Sequence, residues 1–179
     1  IFGHIPLIHG PDGAKLSKRH GALGIDAYRE MGFLPEAVGN YLSRLGWSHG
    51  DDELFSREQA TSWFDGRHIG KAPARFDVGK LKAINQYWLR KKPADELAKK
   101  LIEMHEGVAA AQTKGWLEEL MPLFTERAQT LIELREMTRW LFSEGAPALN
   151  EDAITVLTDE AKYILQKVAK FLGTCTADK

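Results

Sequence analysis

One cysteine, Cys175, stands in 179 residues. That excludes an intrachain disulfide and removes the thiolate clusters of a structural zinc site, and redox chemistry is not expected. Long apolar runs are missing as well. No stretch approaches the roughly 18 consecutive apolar residues of a membrane span. No charged-then-apolar leader opens the chain, so neither insertion nor secretion is expected and the default is a cytoplasmic protein without a membrane partner. An excess of charge is lacking too: 24 Lys and Arg face 25 Asp and Glu, a formal net charge of -1. This balance gives no global attraction to nucleic acid, so any such binding has to come from local asymmetry. No carboxylate cluster suggests a metal site, and no repeat or low-complexity tract is found. With 44% hydrophobic residues, the chain can bury one good core or two small ones.

Local asymmetry exists in two places. From His9 to Gly21, the glycines Gly10, Gly13 and Gly21 and the cations Lys15, Lys18 and Arg19 surround Ser17. Pro11-Asp12-Gly13 is a turn signal, because Pro presets φ and Gly tolerates positive φ, so the apolar run Ile5 to Ile8 is expected to end there as a strand. A short loop rich in glycine and ammonium groups can wrap a polyphosphate, since lysines follow a moving charge and nearby N–H groups add donors. On charge alone the solvated basic hairpin is the favoured reading. A P-loop fits worse, because Lys15 follows Gly13 too soon. The second place runs from Arg67 to Lys92. There Arg67, Lys71, Arg75, Lys80, Lys82, Arg90, Lys91 and Lys92 face the lone acid Asp77. Such a stripe can contact several phosphates or remain a solvated face.

Helical periodicity organises the rest. Ile25 to Met31 reads as a short helix stopped by Gly32, and Pro35 suits the first turn of a second helix running to Gly46. Ser56-Arg57-Glu58-Gln59 matches a capping box, so a third helix runs to about Phe64. Asp77 can cap a fourth, with Leu81, Ile84, Trp88 and Leu89 as its apolar face. Pro93 opens a more continuous helical texture with Leu97, Leu101 and Ile102 on one stripe. A loop is expected from Gly107 to Gly115. Pro122 is expected to break or kink the next segment, and Thr125 to cap a long helix carrying Leu131, Leu134, Met137, Thr138 and Leu141. A last helix capped by Thr158 carries Ala161, Ile164, Leu165, Val168 and Leu172. His68-Ile69-Gly70 reads as linker before the Asp77 helix, with His68 a surface or packing residue.

The wording of the basic loop adds a resemblance. Lys15-Leu16-Ser17-Lys18-Arg19 closely resembles the KMSKS signature of class I aminoacyl-tRNA synthetases in its Lys-Leu-Ser-Lys form. The likeness continues through Tyr28-Arg29, Gly32-Phe33-Leu34-Pro35-Glu36-Ala37, Asn40-Tyr41-Leu42, Leu45-Gly46-Trp47-Ser48, Ala72-Pro73-Ala74-Arg75-Phe76-Asp77 and Asn85-Gln86-Tyr87. It thins after about Arg90, although Arg127 to Leu134 still looks like a helix of the same family. The series resembles bacterial glutamyl-tRNA synthetases. His68-Ile69-Gly70 spells part of the family's HIGH signature, but that signature precedes KMSKS and opens a helix, whereas this copy follows it and runs into Lys71-Ala72-Pro73.

The resemblance implies a mainly α chain: the end of a Rossmann-type catalytic domain with a short strand and the KMSKS loop (1–21), a small α-rich stem-contact domain (22–92), then the first part of a helical anticodon-binding bundle (93–179). It implies part of a glutamate–tRNA ligase, inactive alone, that uses ATP with Mg2+, L-glutamate and tRNA(Glu), and a monomer is expected. Lys18 would be the principal ATP phosphate ligand, supported by Lys15, with Leu16, Ser17 and Arg19 completing the loop; ligands for Mg2+ are not expected in this chain. Arg67, Lys71, Arg75, Lys80 and Lys82 are the candidate tRNA contacts. Rival readings are an enzyme that also charges tRNA for glutamine, the shorter paralogue that glutamylates a tRNA base, and a non-catalytic helical RNA-binding module.

Overall fold

A computed structural model describes residues 6–16, 24–105, 110–142 and 149–174, with the backbone alone described for 110–115 and 172–174. It forms two compact units, 1–142 and 143–179. In the first, β1 (Ile8–His9) leads through a turn to Leu16, followed by α1 (Ile25–Glu30), α2 (Pro35–Gly46), α3 (Arg57–Trp63), β2 (Ala74–Arg75), α4 (Val78–Lys91), α5 (Ala94–Met104), α6 (Ala110–Thr125) and α7 (Leu131–Thr138). A 3-10 turn over Arg139–Phe142 continues α7.

Local chemistry starts and stops these helices as expected in several places. Pro35 occupies the first turn of α2, where its missing N–H would have no helical partner. Ser56 and Gln59 exchange both bonds of a capping box, Gln59 N–H donating to Ser56 Oγ at 3.2 Å and Ser56 N–H to Gln59 Oε1 at 2.8 Å. Asp77 accepts from the Lys80 N–H at the start of α4. Gly32, at φ 81°, turns the chain after α1.

Four expectations need correction. The segment from Ala110 to Gly115 is helix, not loop, because α6 starts at Ala110 and packs along α5 with Leu117 and Met121 fully buried. That burial outweighs the roughly 1 kcal/mol a glycine costs inside a helix. Pro122 does not end α6. It sits exposed in the last turn and gives up its own bond to the carbonyl four residues back, and the burial of Met121 and Thr125 to either side carries the helix past it. Thr125 is consequently the final residue of α6 and donates back to the Pro122 carbonyl, while Thr130 caps α7 by accepting from Glu133 N–H. Finally, the long helix expected after that cap is eight residues of α-helix that tighten into the 3-10 turn.

One apolar cluster fills the first unit. Phe33, Leu34, Ala37 and Tyr41 from the α2 region meet Leu81, Ile84 and Leu89 of α4, which continue into Leu97 and Leu101 of α5, Leu117 and Met121 of α6, and Leu134 of α7. The packing therefore crosses Pro93 without a gap. Polar ties reinforce the crossing. Asn85, fully buried on α4, accepts from the Leu34 N–H at 2.7 Å and donates to the Gln129 carbonyl at 2.6 Å.

The second unit holds α8 (Glu151–Val156), which the periodicity did not announce, and α9 (Asp159–Thr174). Asn150 caps α8 by accepting from Ala153 N–H, and Thr158 caps α9 by accepting from Ala161 N–H. Ile164, Leu165 and Val168 do lie on α9, but they are exposed. No described helix is long and apolar enough to cross a membrane.

Candidate functional site

The basic loop is built as a tight hairpin. Gly10 and Gly13 close a turn with Gly13 N–H donating to Gly10 O at 3.0 Å, with Pro11 second in the turn and Gly13 fourth, positions that these residues favour. Gly13 adopts φ 79°, which lets the chain double back. Gly10 N–H then donates to Ala14 O and Leu16 N–H to Ile8 O, both at 2.8 Å. The Asp12 carboxylate accepts from Ala14 N–H at 3.0 Å and steadies the tip. Lys15 is exposed and pairs antiparallel with His9, while Leu16 turns inward and packs against the core. Leu16 thus anchors the second strand of the described hairpin. Ser17, Lys18 and Arg19, which follow it, lie outside the described residues.

A second strand borders this hairpin. Ala74–Arg75 pairs in parallel with Ile8–His9, in the register Ile8 with Ala74 and His9 with Arg75, and Phe76 N–H donates to His9 O at 2.8 Å. Phe76 is buried edge-on against Tyr41, with ring centroids 5.2 Å apart. The Asp77 N–H donates to the Tyr41 hydroxyl oxygen at 2.6 Å. Burial pushes the Tyr41 hydroxyl above its ordinary range. Sequence reading missed this strand because two residues, Ala74 and Arg75, are too few to show alternation. The only available signal was the isolated apolar Phe76 before a cap. Its consequence for Arg75 is specific: the guanidinium Nη2 lies 3.7 Å from where a side chain on Gly13 would begin.

The basic stripe is divided by its partners. Lys80 binds Glu53 at 2.8 Å, and Arg44 reaches the same carboxylate at 3.2 Å. Lys82 binds Glu133 at 2.9 Å. Lys92 binds Glu36 at 2.6 Å and Glu96 at 3.4 Å. Arg90 donates to the Glu126 carbonyl at 2.8 Å, and Lys91 stands 5.7 Å from the Tyr87 ring centre. These contacts hold the 125–133 segment and the α2 entry to α4. Arg67 is 85% exposed in its side chain and only 3.8 Å from Asp65. Lys71 and Arg75 are exposed, and neither makes an ion pair among the described residues.

Ion pairing shows in the carboxyls. Burial pushes Glu36 upward, but the hydrogen bond and charge of Lys92 outweigh it and hold the group below its ordinary value. Glu133 behaves alike, burial being overcome by the Lys82 hydrogen bond and the Gln129 N–H. No group of three or more His, Cys, Asp or Glu among the described residues could hold a metal ion. His68 is exposed, Ile69 pairs antiparallel with Trp47, and Gly70 N–H donates to Gly46 O at 2.8 Å, so this segment is a strap between α3 and β2. A groove of about 950 Å³ lies between α2 and α3, lined by Asn40, Ser43, Trp47, Phe55, Thr61 and Phe64 among others, with no residue of the hairpin on its wall.

Known proteins resemble this chain over nearly all of its length. The profile described as tRNA synthetases class I (E and Q), catalytic domain, matches residues 1–83, and the profile described as anticodon binding domain matches 94–179. A curated glutamate–tRNA ligase 2 of Parvibaculum lavamentivorans is 46% identical over 180 residues, covering 96% of this chain and 36% of that protein. One of Brucella ovis is 51% identical over 189 residues, covering 99% of this chain and 40% of that protein. The crystal structure of a glutamate tRNA ligase from Elizabethkingia meningosepticum superposes with a TM-score of 0.76 at 26% identity, covering 97% of this chain and 38% of that one. The chain spans about two fifths or less of the length of these relatives.

Proposed function

Because this chain belongs to the class I tRNA synthetases of the glutamate and glutamine type, we propose that it works as the part of a glutamate–tRNA ligase running from the ATP-phosphate loop into the anticodon-binding region. In the whole enzyme the glutamate carboxylate attacks the α-phosphate of ATP, forming glutamyl-adenylate as pyrophosphate leaves. A terminal ribose hydroxyl of tRNA(Glu) then attacks the acyl carbon and AMP leaves. Neither step needs a protein nucleophile. Catalysis consists of holding the reactants in line and stabilising charge that spreads over the phosphates.

Lys18 is the principal cation for that charge and Lys15 its support, while Ser17, Arg19 and the Leu16 backbone shape the loop. Magnesium accompanies ATP through groups outside this chain. Arg67 and Lys71 approach the tRNA backbone first, since Lys80 and Lys82 are held by carboxylates. The reaction takes place in the cytoplasm, where tRNA is charged.

The observation that carries this reading is the anchored hairpin. Leu16, packed against the core, lies between Lys15 and the Ser17-Lys18-Arg19 of the signature, so the two signature lysines flank an anchored residue and its serine. The test is glutamate-dependent ATP–pyrophosphate exchange in a synthetase containing this segment. Lys18→Ala should lower exchange roughly 10² to 10³-fold, as loss of one preorganised transition-state donor does, with tRNA affinity little changed. Wild-type exchange accompanied by weakened tRNA binding would overturn the assignment.

A further inference from the structure

The pairing of β1 with both neighbours places three basic side chains in one row. His9 is the middle member, antiparallel to Lys15 on one side and in parallel register with Arg75 on the other. Residues directly opposite one another in a ladder project from the same face, and the next row projects from the other. The burial follows that rule. Ile8 and Leu16 pack against the core and Phe76 is buried, whereas Lys15 and Arg75 are exposed and His9 is half-buried. Two strand spacings separate the ends of the row, about 10 Å, a span that the long side chains of Lys15 and Arg75 can close over a chain of phosphates. Arg75 already leans toward the turn, as its proximity to Gly13 shows.

Charge distinguishes this row from the ion-paired part of the basic surface. Lys80, Lys82 and Lys92 are each neutralised by a glutamate. His9, Lys15 and Arg75 have no carboxylate partner among the described residues, and the nearby Asp12 carboxylate is turned to the Ala14 N–H. Three donors held side by side without an acid are a frame for a polyanion.

We propose that His9 and Arg75, two residues outside the loop signature, complete with Lys15 an anion site for the polyphosphate chain of the nucleotide, so that Arg75 serves the ATP loop and not the tRNA. The choice of a nucleotide as the source of the phosphates rests on the reading of the hairpin given above; the anion row itself rests on strand register alone. Arg75 is then a positioning cation at the base of the loop, and His9 a donor between the two longer side chains.

The experiment uses the 179-residue chain and sodium tripolyphosphate, followed by calorimetry and by the His9 ring resonances in NMR spectra. Arg75→Ala should weaken tripolyphosphate binding roughly tenfold, the loss of one charge-assisted hydrogen bond. Arg75→Lys should recover part of that loss, and Lys99→Ala, on the exposed face of α5, should change nothing. The His9 ring signals should move on titration in the unmodified chain and move less in Arg75→Ala. Absence of tripolyphosphate binding, unchanged binding by Arg75→Ala, or a silent His9 ring would overturn the proposal. So would an Arg75→Ala defect seen with tRNA but not with tripolyphosphate, which would make the row an RNA contact. If Lys18→Ala leaves pyrophosphate exchange intact while tripolyphosphate still depends on Arg75, the ligase reading falls and the anion row stands.

Discussion

Gly32 and Ile132 approach so closely that a Cβ on Gly32 would stand 2.7 Å from the Ile132 amide nitrogen. The contact is backbone to backbone, and it is closed by Leu131 N–H donating to Gly32 O at 2.9 Å. It fastens the turn between α1 and α2 to the first turn of α7. Gly32→Ala meets both the positive φ of 81° and this crowding. Unfolding in urea should show a loss of about 2–4 kcal/mol, the sum of a left-handed non-glycine residue and an overpacked contact. A loss below 0.5 kcal/mol would mean the two segments separate easily.

Asn85 is the polar counterpart of that contact. Its side chain serves one donor and one acceptor that are otherwise unpaired inside the protein, Leu34 N–H and Gln129 C=O. Asn85→Leu keeps much of the volume but leaves both unpaired, and denaturation should show a cost of about 2–4 kcal/mol. Asn85→Asp keeps an acceptor for the Leu34 N–H, but an ionised carboxylate cannot donate to the Gln129 carbonyl, so at neutral pH the cost should be at least that of Asn85→Leu and should ease as acid protonates the carboxyl.

Acid should destabilise the first unit in two windows. His105 stacks on Phe142 with ring centroids 4.0 Å apart, and burial together with the nearby Arg135 charge lowers its pKa from the ordinary 6.5. A base held neutral when folded contributes stability fully above 6.5, and that contribution is lost as pH falls through the window down to its lowered folded value. His105→Phe preserves a ring there and should abolish this first decline. Glu36 and Glu133, both held low, stabilise the fold above the ordinary carboxyl value of 4.5 and lose that contribution as pH falls through their lowered values. Glu36→Gln should flatten the second decline. Thermal midpoints measured from pH 8 to pH 3 separate the two.

Binding of tRNA by this chain should be weak and salt-sensitive, with the cations that lack a close partner supplying the salt dependence. Lys71→Ala should reduce the slope of log K against log salt by about one. Lys82→Ala, whose ammonium is held by Glu133, should leave that slope nearly unchanged and lower stability instead. Equal effects of both substitutions on the slope would show that the Lys82 pair opens on binding.

Features whose partners lie within one helical turn are legible in the residues themselves. Ser56 and Gln59 satisfy each other across three positions, Asp77 meets the Lys80 N–H, and Pro35 and Gly32 act through their own backbone. The loop signature is legible for the same reason, being contiguous. Tertiary structure decided what depends on distant partners. Lys80 and Lys82 look like free phosphate ligands until Glu53 and Glu133 arrive from 27 and 51 residues away. Ala110 to Gly115 and Pro122 look like a loop and a break until the burial of Leu117 and Met121 against α5 outweighs local preference. Arg75 reads as one more member of a stripe, and only the pairing of β2 with β1 sets it beside His9 and the basic hairpin, because strand register is a relation between segments that neither contains alone.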